Sequence, residues 1–165
     1  MRLLAFTFIC LNLVGGSAFA LSCMPWSISI AYPHAAASEE EYNIFKGRLT
    51  FDQTKVDDFR EYDANDFNSE RYTKTIRINA TVDGYALGQR SFSTGAQVQT
   101  SVILEVLCFF GGCGYPASGS EVILFTRLEG GDRVAHLTSG CGGDAFRLTS
   151  ENEMALLSCH RGGTC

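Results

Sequence analysis

Thr73-Lys74-Thr75-Ile76-Arg77-Ile78-Asn79-Ala80-Thr81-Val82 alternates apolar and polar side chains over its second half. Ile76, Ile78, Ala80 and Val82 fall on one face, and Arg77, Asn79 and Thr81 on the other. A period of two places successive side chains on opposite faces, so this stretch predicts a strand with one buried and one wet face. Asp83-Gly84 reads as its punctuation.

Similar segments lie on both sides. Tyr42–Phe51 predicts an earlier strand, with Ile44 and Phe45 near its start and Leu49 and Phe51 alternating later. Val98–Leu107 predicts a third strand, with Val102, Leu104 and Val106 sharing a face. Glu121–Leu128 reads as a fourth, central strand. Glu129-Gly130-Gly131-Asp132 is a hairpin turn, and Arg133–Thr138 returns from it. Two short helices are expected. One covers residues 34–42, where Ser38 and Glu41 have capping-box spacing. The other opens at Ser150, with Glu153 three places on, and continues through Met154, Leu156 and Leu157. The fold expected is mainly β: a small, closed, five-stranded OB-like barrel with one or two short flanking helices. A β-sandwich is the alternative.

Outside the strands, residues 1–20 read as a secretory signal. Arg2 is the positive n-region, Leu3–Val14 the apolar stretch, and Ala18-Phe19-Ala20 the cleavage site. Residues 21–165 then form one domain that starts at Leu21, secreted or periplasmic. Acylation of Cys23 is the only route by which this reading brings the chain to a membrane. The formal net charge is −5, and loss of Arg2 makes the mature chain more acidic by one. With no basic run, nucleic acid is excluded as the expected partner. Residues 52–72 are polar and acidic with interspersed aromatics. They read as a long surface loop, without the spacing of a calcium-binding loop.

Of 7 cysteines, Cys10 leaves with the signal. Cys23, Cys108, Cys113, Cys141, Cys159 and Cys165 remain. An even number in an exported chain predicts disulfides rather than zinc ligation, with the connectivity open. No catalytic residue, metal ligand or cofactor is assigned. The three histidines, His34, His136 and His160, lack a nucleophile at a motif's spacing, and Cys159-His160 are neighbours whose side chains diverge. Asn79-Ala80-Thr81 is a glycosylation sequon. Trp26 and Tyr32 are expected to pack across an open end of the barrel.

Several stretches together resemble the tissue inhibitors of metalloproteinases and their netrin-like relatives, including bacterial members. Leu21-Ser22-Cys23-Met24-Pro25 is similar to that family's Cys-x-Cys-x-Pro opening, and Tyr42–Thr50 resembles its first barrel strand. Cys113-Gly114, Gly119–Thr126, Gly130-Gly131 and Cys141 follow the order of its Cys-Gly…Gly…Cys run. The resemblance implies a five-stranded barrel and the pairings Cys23–Cys141, Cys108–Cys113 and Cys159–Cys165. It also implies a non-catalytic binding role toward a protein, either a protease or an envelope component, through Leu21, Ser22, Cys23 and Met24. The departure is at Leu21, where the family has a cysteine whose disulfide holds the zinc-chelating amine and carbonyl. Two alternatives follow. One is metalloprotease inhibition through the free N-terminus at Leu21. The other is a small exported enzyme whose site no motif reveals.

Overall fold

In the computed structural model, residues 26–57, 73–93, 96–109, 112–138 and 143–165 are described. The strands are β1 (Tyr42–Phe51), β2 (Thr73–Ala86), β3 (Val98–Phe109), β4 (Gly112–Cys113), β5 (Ser120–Glu129), β6 (Asp132–Thr138) and β7 (Ala145–Arg147). The helices are α1 (Ile28–Ala37), α2 (Thr54–Asp57) and α3 (Ser150–His160).

Five strands close on themselves in the order β1-β2-β3-β6-β5, with β5 returning to β1. The β3–β6 pair is parallel and the other barrel pairs are antiparallel. Numbered among themselves, the barrel strands run 1-2-3-5-4, so a small closed OB-like barrel forms, as the alternation predicts. β4 folds back on the end of β3. β7 lies beside the first half of β5.

Alternation fills the barrel. Leu49, Val82, Leu104, Val106, Val122 and Leu124 point inward and are essentially sealed from solvent. The apolar run of β5 is continuous because its outer face is covered as well. Ile123 and Phe125 turn the other way and pack with Ile44 against Ile28, Ala31 and Ala35 of α1 and Leu156 of α3. A strand buried on both faces needs apolar residues at every position. Thr126, the buried polar residue among those described, follows the run and donates its hydroxyl to the Asn43 carbonyl at 3.1 Å.

β1 and β2 pinch together where Gly47 faces Gly84. A Cβ on Gly84 would fall 2.0 Å from the Lys46 carbonyl oxygen and 2.6 Å from the Gly47 Cα. Only hydrogen fits there, so β2 runs straight through Asp83-Gly84 to Ala86. The strand end expected at Asp83-Gly84 is therefore corrected: this glycine serves close approach within the ladder.

Both helix expectations shift. The first helix is Ile28–Ala37, not 34–42, and Ser38 is the residue that ends it. Apolar burial at Ile28, Ala31 and Ala35 follows the helical repeat along one face and decides its position. At α3 the cap is Thr149, one place before the expected Ser150. Its hydroxyl accepts from the Asn152 amide at 3.1 Å. Glu153 is thereby released from capping. It pairs with Lys46 of β1, whose ammonium lies 4.8 Å from the centre of the Phe92 ring.

Candidate functional site

The register brings together polar side chains that the sequence keeps far apart. Parallel pairing of β3 with β6 sets Glu105 beside His136, and the β5–β6 hairpin brings Arg127 and Glu129 to the same outer face. His136 Nδ1 lies 3.7 Å from Glu105 Oε2, and Nε2 lies 3.2 Å from Glu129 Oε1. The Arg127 guanidinium bonds both Glu129 and the same Nε2, and reaches Glu40 Oε2 at 3.4 Å. Nε2 therefore stands between a guanidinium, which can only donate, and a carboxylate, which can only accept.

Beneath this row, the His136 amide donates to Asp144 Oδ2 at 2.8 Å. Burial pushes the Asp144 carboxyl above its ordinary range, against the opposing pull of that hydrogen bond. Burial also raises the Tyr42 phenol, helped by the nearby Asp144 charge. For Glu129, burial pushes upward, but the hydrogen bonds from Arg127 and His136 win and the carboxyl is lowered.

Glu105, Glu129 and His136 place three potential ligand atoms within 4.8 Å of one another. The donor set suits a divalent cation. Arg127 already bonds two of the three, Glu129 and His136, and offsets one of the two carboxylate charges, and the row braces three strands. The Tyr42 phenol, hydrogen-bonded to Arg127, borders it.

The other two histidines are also engaged. His160 donates from Nε2 to the Gly88 carbonyl at 2.7 Å, and its Nδ1 accepts from the Tyr32 hydroxyl at 2.9 Å. It thus ties α3 to α1 and to the turn after β2. His34 meets the edge of Trp26, ring centres 6.2 Å apart. Trp26 and Tyr32 pack against the helix-covered cluster on the outside of the barrel wall. The Trp26 indole nitrogen is buried without a partner among the described residues.

Cys108 is bonded to Cys113 across the β3–β4 pair, and Cys159 to Cys165 beyond α3. Their sulfurs are therefore unavailable for the alternative zinc ligation. Disulfides fit an oxidising compartment, extracellular or periplasmic. No helix among the described residues is long and apolar enough to cross a membrane. Leu21, Ser22, Cys23 and Met24, together with Cys141, lie outside the described residues, as do residues 58–72 of the acidic loop.

A second polar place lies on the outer face of β1, β2 and β3. Thr50, Thr81 and Ser101 stand side by side across the three strands, and Asn79 stands beside Ile103. With Asp132 and Arg133, just past the β5–β6 turn, they line a groove of about 610 Å³. The outward positions of the alternating strands were the only sequence signal for this groove, and they do not reveal which strands adjoin.

Protein-family models, curated proteins and solved structures give no match to this chain.

Proposed function

We propose that the chain is an exported, non-catalytic binding module of the netrin-like kind. The observation that carries this reading is the closed barrel with strand order 1-2-3-5-4. That architecture presents a sheet face and its bordering loops to ligands while its interior is filled with side chains. The histidines add support. His136 and His160 are committed to carbonyl, hydroxyl, carboxylate or guanidinium partners, and His34 to a ring edge. His160 Nδ1 meets the Tyr32 hydroxyl while its other nitrogen is held by the Gly88 carbonyl. The signal-like opening and the two disulfides support export.

Residues 21–165, secreted and oxidised, provide the test. They are assayed for saturable binding to immobilised zinc endopeptidases and polysaccharides, and in parallel for turnover of chromogenic peptide, ester and glycoside substrates. Binding without turnover is expected. Saturable turnover that disappears in His136→Asn would overturn the reading. Inhibition through the N-terminus is the narrower form of the proposal. It predicts zinc-peptidase inhibition that is lost when one residue is added before Leu21.

A further inference from the structure

Three features of the outer sheet coincide. The groove runs over β2 and β3, the second and third barrel strands. One border is the end of β1, where Thr50 and Phe51 lead into the loop to β2. The other is formed by Asp132 and Arg133, directly after the turn joining the fourth and fifth barrel strands. In five-stranded barrels of this order, that face takes oligonucleotides or oligosaccharides. The lining decides between them.

The floor carries no formal charge. Asn79 and Ser101 are exposed, and Thr81 is half-buried beside them. The Asn79, Thr81 and Ser101 side chains bond no other described residue. They offer hydroxyl and amide groups that both donate and accept, which suits a ligand built of hydroxyls. Ile103 adds a half-exposed apolar surface for the C–H faces of a pyranose ring. Nucleic acid requires a basic track and stacking rings. Among the described lining residues the single cation, Arg133, sits at the border with its Nε bonded to Asn43 Oδ1 at 3.1 Å, next to Asp132. The one aromatic ring among those described residues, Phe51, is half-buried and set edge-on against Tyr115, centres 5.9 Å apart. A volume of about 610 Å³ falls within the range of small-ligand clefts.

We infer that the outer face of β2 and β3 binds a neutral oligosaccharide. This names the ligand class for the binding module proposed above and rests on that reading. All the lining residues sit on strands or at a strand end, so the site is formed before the ligand arrives.

Affinity electrophoresis tests it. The oxidised chain is run in native gels cast with laminarin, glycogen or galactomannan, alongside the Ser101→Arg and Asn79→Ala variants. Both substituted positions are exposed, and circular dichroism checks that the variants fold. The expected result is retardation by at least one polysaccharide, weakened about tenfold or more in Ser101→Arg, whose long side chain fills the groove. Asn79→Ala should weaken it in the same direction. Equal retardation of all three proteins would place the ligand elsewhere and overturn the inference. Failure of every polysaccharide to retard the wild-type chain would also overturn it. So would preferential binding of a single-stranded oligonucleotide that fades as salt rises. Release of reducing ends, lost in Ser101→Arg, would sink the non-catalytic reading while upholding the saccharide face.

Discussion

Replacing Gly84 with alanine adds one methyl group at the tightest point of the barrel. That methyl would lie 2.0 Å from the Lys46 carbonyl oxygen, 2.6 Å from the Gly47 Cα and 2.8 Å from the Lys46 carbonyl carbon, where ordinary contact begins at 3.4 Å. All three are backbone atoms, so no rotamer change relieves the clash. The strands must part by more than an ångström, which breaks the ladder around the Gly47–Gly84 pair. Overpacking costs about 1–3 kcal/mol. Two weakened ladder hydrogen bonds add roughly 1 kcal/mol each. The expected loss is about 3–5 kcal/mol, a large fraction of a domain's total of roughly 5–15 kcal/mol. Urea unfolding followed by circular dichroism measures it. With a slope of about 1.5 kcal/mol per molar, the midpoint should fall by roughly 2–3 M. Gly130→Ala is the comparison. Gly130 has φ +59° and nothing within 4 Å of its added Cβ, so only the left-handed backbone penalty of about 1–2 kcal/mol applies. If the two variants unfold at the same urea concentration, the pinch between β1 and β2 is not where this reasoning puts it.

Three further outcomes are expected. Asp144→Asn should raise the melting temperature at pH 7 by a few degrees, with the gain disappearing in acid. The folded carboxyl keeps its proton to a higher pH than the unfolded chain does, so the native state loses stability as pH rises through that interval. Glu129→Gln should act in the opposite sense. Its lowered carboxyl contributes stability above the ordinary glutamate range and loses it as pH falls, so in a thermal series the variant should be weaker at pH 7 and approach the parent as acid protonates Glu129 in the folded state. The difference at pH 7 should be no more than about 1 kcal/mol because the site is partly exposed. Leu124→Ala empties a fully buried position in the barrel and should cost about 2–5 kcal/mol in the same urea assay; a loss below 1 kcal/mol would mean that the core closes around the gap.

The barrel strands were legible because half-buried strands must alternate, and Ile76 to Val82 does so regardless of its neighbours. β5 was legible for the opposite reason: Val122 to Phe125 has no polar position because helices cover its second face. The helix starts were less legible. Ser38 with Glu41, and Ser150 with Glu153, have capping spacing, yet tertiary packing of Ile28, Ala31 and Ala35 places α1 earlier. Thr149 caps α3 while Glu153 goes to Lys46. Neither polar place was legible. Glu105 meets His136, and Thr81 meets Ser101, only through strand register, and register depends on closing the whole barrel. The groove's residues come from four strands, and none of them is unusual in its local sequence.

β5 has a further consequence for the life of the chain. It is hydrogen-bonded on one edge to β1 and on the other to β7 and then β6, and helices cover its outer face. Its central amides can therefore exchange with solvent only when the whole barrel opens, so they should report the global stability in a hydrogen-exchange experiment. Before folding, the same run has none of these covers. Val122-Ile123-Leu124-Phe125 is then a bare, uncharged, β-prone segment of the kind that seeds aggregation. The unfolded chain must keep that segment apart from other copies until β1 arrives to pair with it.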